Sequence, residues 1–156
     1  MSIRNTLLVS ASVASLTLAA SAAVAQMTMK SPHQVREALG TLNRVVDHTG
    51  RLIAAKNYTY LPHENDEFKE GSEALEKDIA KESADFKTKV EALLKQAEAD
   101  SQSVADAATA HDDAKLASTH AALAESVKAV LAAFPKTVQP TPPSLAKEKQ
   151  EEKVAK

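Results

Sequence analysis

Apolar side chains recur along this chain at steps of four and three residues, the spacing that lines one face of an α-helix. From position 35 the series runs Val35, Leu39, Leu42, Val46 and Ile53, with Thr49 filling the gap and Ala38, Val45 and Leu52 widening the seam into a stripe. Ser31-Pro32 supplies an N-cap and a proline at the first helical position, where its missing N–H costs nothing. The spacing predicts a helix to about Lys56, because Asn57-Tyr58-Thr59-Tyr60-Leu61-Pro62 is β-branched, aromatic and finally broken by proline. From Asp66 to Thr109 there is no proline and one glycine, Gly71, while Phe68, Leu75, Ile79, Phe86, Val90, Leu93, Ala97, Val104 and Ala108 keep the period. One helix of that length would reach roughly 65 Å and leave half its stripe in water. A bend near Glu82-Ser83, with Ser83 as N-cap, buries all of it. Asp112 then caps a last helix with Leu116, His120, Leu123, Val127, Val130 and Phe134 on its seam, which Pro135 stops. The pattern predicts an all-α fold: an antiparallel up-down-up-down four-helix bundle with short connections.

The two ends read differently. Arg4 is followed by an almost wholly apolar or small run from Thr6 to Val24, closing on Ala23-Val24-Ala25, a small-x-small cleavage site. Residues 1–25 are expected to be a secretory signal peptide cut before Gln26, with a bacterial periplasm as destination and no membrane anchor after cleavage. The bundle is expected over 26–135. Residues 136–156, with Pro140, Pro142 and Pro143 before a lysine/glutamate run, are too polar to pack and are expected to form a mobile tail. There is no cysteine, so an exported chain of this kind must be held by its core alone, and thiolate metal sites and covalent c-type haem are excluded. Between 26 and 135 stand 13 Lys/Arg against 18 Asp/Glu, a formal charge of −5. That balance argues against nucleic acid, whose phosphates need a basic face, and an aromatic content of 3% leaves no stacking platform.

Ala105-Asp106-Ala107-Ala108, Asp112-Asp113-Ala114, Ala121-Ala122-Leu123 and Val127 resemble the last two helices of the cytochrome c-prime family and of the soluble b-type bundle cytochromes. The segment from Pro32 to Lys56 is similar to the family's opening helix. The resemblance covers roughly residues 31 to 134 and implies a periplasmic four-helix bundle, often dimeric, that carries haem between its helices. The family's Cys-x-x-Cys-His motif and trailing aromatic would fall on Val127, Val130, Leu131 and Phe134, where only the aromatic survives. The b-type relatives take an early methionine and a late histidine as ligands. Here Met27 and Met29 precede the first helix, and no histidine follows His120. The resemblance therefore implies the fold and a haem-less relative.

Histidines are the one distributed chemical signal. In an antiparallel bundle His48 and His120 fall at the same level of neighbouring helices, and His63 and His111, in the first and third connections, belong to that end. The four, with Asp47, Glu64, Asp112 and Asp113 nearby, suit a Cu²⁺, Zn²⁺ or Ni²⁺ ion, and His48 and His120 are expected to approach closely enough to share one. Met27-x-Met29 with His33 is a softer, Cu(I)-type set. No nucleophile–base motif or glycine-rich phosphate loop is present, so no enzymatic activity is expected. The reading that follows is a haem-free periplasmic binding or scaffold protein whose partner is another protein or a second copy. A metal-binding or stress protein using the histidine end, and a non-covalent haem or electron-transfer protein, are the alternatives.

Overall fold

The computed structural model describes residues 29–140; the expected signal peptide and most of the expected tail lie outside them. Among the described residues the chain forms four α-helices and no strand: α1 (Pro32–Ala54), α2 (Leu61–Asp78), α3 (Ala84–Thr109) and α4 (Asp113–Ala132). Each starts and stops where local chemistry directs it. Pro32 occupies the first turn of α1, and the Ser31 carbonyl accepts Val35 N–H at 3.1 Å, although the Ser31 side chain makes no cap bond. Ser83 caps α3 by accepting Phe86 N–H at 3.4 Å, and Asp112 caps α4 by accepting Lys115 N–H at 2.9 Å. Those bonds satisfy donors that a helix start otherwise leaves unpaired. The bend expected near Ser83 is present.

Two boundaries differ from the sequence reading. Tyr58–Tyr60 forms a 3₁₀ turn that runs straight into α2 at Leu61. Pro62 thus sits in the helix's first turn, where proline is tolerated, and opens α2 instead of ending a loop before Asp66. At the other end Lys136–Val138 forms a second 3₁₀ turn, and the packed region continues past Pro135. Val138 is buried, Gln139 Nε2 donates to the carbonyls of Leu131 and Phe134 at 3.0 and 3.1 Å, and Arg36 donates to the Thr137 carbonyl. A buried valine and three satisfied carbonyls hold this segment to the helices, so it is no tail.

Helices α1 and α2, α2 and α3, α3 and α4, and α4 and α1 pack side by side, the last pair least extensively. Cross-helix pairs track the arrangement: Arg44 with Glu67 and His48 with Glu64; Asn65 with Gln102 and Ser72 with Glu98; Asp100 with Ser126 and Phe86 with Phe134. In each couple the numbers rise on one helix as they fall on the next. The core is the expected seam: Val35, Leu39, Leu42 and Val45 on α1, Phe68 and Leu75 on α2, Val90, Ala97 and Val104 on α3, and Leu116, Leu123, Val127 and Val130 on α4. On α3 the chain buries Leu94 fully and leaves Leu93 at the margin, a four-residue step from Val90 where three was expected. Met29 is part of this core, so one thioether of the Cu(I)-type set is engaged in apolar packing; its neighbour Met27 lies outside the described residues, and His33 pairs with Glu37 at 3.4 Å on the exposed face of α1.

Candidate functional site

The connections after α1 and after α3 lie together and carry the chain's two tyrosines and His111. Both helices end in the same way. Asn57 N–H bonds to Leu52 O and Lys56 N–H to Ile53 O; Asp112 N–H bonds to Ala107 O and His111 N–H to Ala108 O, all at 2.9–3.0 Å. This is the Schellman pattern, which places one residue in the left-handed region and usually gives that place to glycine. Here Lys56 (φ 55°) and His111 (φ 54°) hold it. The reversals bring the loops within reach of Asp113. Tyr58 Oη donates to Asp113 Oδ1 at 2.5 Å, Lys56 Nζ approaches Asp113 Oδ2 at 3.3 Å, and the Tyr58 and His111 rings lie 6.1 Å apart at 46°. The hydrogen bonds from Tyr58 and Lys56 hold the Asp113 carboxyl below the usual carboxylate range, while the same bond to Asp113 raises the Tyr58 phenol. Tyr60, beside this clasp, is the exposed large hydrophobic side chain of the described residues, at 57%.

The four candidate histidines are not gathered into one site. His120 Nε2 lies 3.0 Å from the Val46 carbonyl, which only accepts, so Nε2 carries the proton. Its ring rests over Gly50, where an added Cβ would meet Cε1 at 3.0 Å. His48 stands two residues before Gly50 and so roughly 200° around α1. It turns to α2, where its Nδ1 meets Glu64 Oε1 at 2.9 Å. The level expected for these two rings is right. Their faces differ, because two residues along a helix turn a side chain by roughly 200°. His63 is exposed in the first turn of α2, not in a connection, and His111 is exposed in the clasp. Among the described residues no group of three or more His, Asp or Glu side chains is placed to hold a metal ion.

What the sequence reading missed is a buried polar unit behind His48. Glu64 and Asn65 are 4% and 5% exposed. Asn65 Nδ2 donates to Gln102 Oε1 at 3.0 Å; Lys69 Nζ donates to the same oxygen at 3.1 Å, and Gln102 Nε2 donates to Asp106 Oδ1 at 2.9 Å. Glu64 Oε2 and Asn65 Oδ1 are buried with no hydrogen-bond partner among the described residues. The signal for Glu64 was present: Leu61, Glu64 and Phe68 stand at steps of three and four, so a carboxylate occupies a core position.

The haem-motif positions are filled. Val127, Val130 and Phe134 are buried and Leu131 is partly buried. The Phe134 ring meets Phe86, just inside α3, edge-on at 5.3 Å and 87°, so Phe134 serves the contact with α3. No protein-family model matches this chain, and neither a curated protein nor a solved structure matches it.

Proposed function

We propose that this chain is an exported, haem-free helical bundle that works as a binding or scaffold protein. Its helices form a closed up-down-up-down bundle of the cytochrome c-prime type, and a signal peptide ending at Ala25 delivers it to a periplasm. The observation that carries the reading is the occupied interior. Val127, Val130 and Phe134, at the positions where the resembled family binds haem, are packed among the protein's own side chains. Burying such side chains contributes roughly 1.5–3 kcal/mol each, a gain that a cofactor entering there would have to displace. A protein whose interior is committed to its own stability offers its surface to partners. The clasp end, with exposed Tyr60 beside Tyr58 and His111, is the part of that surface richest in side chains suited to recognition, since a tyrosine joins an apolar body to a polar tip. The partner is another protein or a second copy of the chain.

Haemin titration of the purified mature protein tests the first part. The expected result is no Soret shift beyond that of haemin in buffer. A saturable one-to-one Soret complex would replace this reading with that of a haem carrier. N-terminal sequencing of the exported form should start at Gln26; an intact leader in the mature protein removes the periplasmic assignment.

A further inference from the structure

The seam between α1 and α4 is the least extensively packed in the bundle, and it is tied at both ends by segments outside the helices. At one end Lys56 and Tyr58 reach Asp113. At the other, Pro135 (φ −58°, ψ 145°) turns the chain out of α4, and the Lys136–Val138 turn packs on α1. Between the two ends His120 bonds the Val46 carbonyl and rests its ring over Gly50. The anchors of the segment after Pro135 divide between the two helices. Arg36 of α1 donates to the Thr137 carbonyl, while Gln139 Nε2 donates to the carbonyls of Leu131 and Phe134 at the end of α4. Val138 is buried, and Pro140 lies against Gly40 of α1. We propose that residues 136–140 are a latch, and that its release opens the seam between α1 and α4 while the other three seams of the bundle stay closed.

The polar anchors are of a kind that exchanges readily with water. Carbonyls in the last turn of a helix have no partner within it and accept from water as well as from Gln139, so trading one donor for the other costs little. What holds the latch shut is the burial of Val138 beside Pro135, an apolar area small against that of a helix face. With it lifted, α1 keeps its broader packing on α2 and α4 its broader packing on α3, where Phe134 still meets Phe86. The seam therefore parts from the Pro135 end, with the Asp113 clasp as its far tie. That motion uncovers core residues at the same end of both helices, Val35 and Leu39 on α1 and Val130 and Leu131 on α4. Local opening of this sort falls where buried apolar contacts are fewest. The latch goes beyond the partner-binding reading and does not rest on it.

The absence of cysteine makes a direct test possible. A Cβ on Gly40 would stand 3.8 Å from Pro140 Cβ, a separation that a disulfide spans. In the full mature chain carrying Gly40→Cys and Pro140→Cys, oxidation should lock the latch. Hydrogen exchange read by mass spectrometry is then expected to slow in α1 and α4 by about tenfold more than in α2 and α3, and to recover on reduction. Val138→Ser should do the reverse, speeding exchange in α1 and α4 by about tenfold or more over the parent while α2 and α3 change less. Should the disulfide not form, Val138→Ser and Gln139→Ala carry the expectation by themselves. Exchange in α1 and α4 that is the same in locked and reduced protein, or that rises equally in all four helices of Val138→Ser, would overturn the proposal.

Discussion

Lys56 and His111 occupy a backbone region that costs a non-glycine residue roughly 1–2 kcal/mol, and both do so at the same end of the molecule. Lys56→Gly relieves that cost, forfeits an exposed ion pair worth little, and adds roughly 0.5–1 kcal/mol of unfolded-state entropy to lose. A net stabilisation of about 0.5 kcal/mol is expected, read as a higher urea midpoint at unchanged slope; a lower midpoint would mean that the Lys56–Asp113 contact outweighs the strain. The clasp also has a defined pH window. Asp113 has a depressed folded pKa, so its contribution is present above its unfolded value and lost as pH falls through the folded one. Tyr58 has a raised folded pKa, so its contribution is present below its unfolded value and lost as pH rises through the folded one. The clasp therefore opens at both extremes and is whole between them. In Tyr58→Phe the acid-side loss is expected to be smaller and complete at higher pH, because Asp113 has lost its first donor and its folded pKa is less depressed. Stability measured against pH tests this, and identical acid limbs in parent and variant would contradict it.

At the scale of elements, the glycines separate close packing from simple tolerance. A Cβ on Gly71 of α2 would come within 3.0 Å of Thr41 Cγ2 and 3.2 Å of Leu42 Cδ2, whereas one on Gly40 would meet, among the described residues, only Pro140 Cβ at 3.8 Å. Gly71→Ala makes the Thr41 and Leu42 side chains give by a few tenths of an ångström. It is expected to destabilise by up to about 2 kcal/mol, since overpacking of about 1–3 kcal/mol is offset by nearly 1 kcal/mol of helix propensity. Gly40→Ala gains the propensity without the clash and should stabilise by up to about 1 kcal/mol. Thermal or urea unfolding of both variants checks the contrast; equal effects would mean that α1 and α2 do not approach so closely. The cap of α4 is a second test, because Asp112→Ala leaves Lys115 N–H without its acceptor and should cost about 1 kcal/mol.

Across the whole molecule, acid is distributed unevenly. Glu76 is raised by desolvation and then by Glu98, Glu91 and Glu73, with Lys87 opposing. Asp78 is raised by desolvation and by Glu37. These carboxylates oppose the clasp in sign: their burden is absent below the unfolded pKa and grows as pH rises through the folded one. Glu76→Gln is thus expected to stabilise the protein near neutrality by no more than about 0.5 kcal/mol, given its exposure, and to leave stability at acid pH unchanged. The seam at Phe134 works in the opposite direction. Phe134→Ala removes the ring that meets Phe86 and the buried anchor beside the Lys136–Val138 turn, and should cost about 3–5 kcal/mol. A loss below 1 kcal/mol would show that the segment after Pro135 contributes little.

Helix number, the bend at Ser83, the cap at Asp112 and most of the core were legible in the residues alone, because helical periodicity and capping are local and need only neighbours three or four positions away. The start of α2 was not, since Pro62 can end one element or begin the next and only the packing of Leu61 and Glu64 against the other helices selects the second. The same holds for the site. Sequence position puts His48 and His120 at one level, but which way each ring turns depends on the azimuth of α1 against two neighbours at once. That angle sends His120 to the Val46 carbonyl and His48 to Glu64. A carboxylate at a seam position is visible in a sequence; that it is buried against His48 is a consequence of how the helices close around it, and only the tertiary structure decides it.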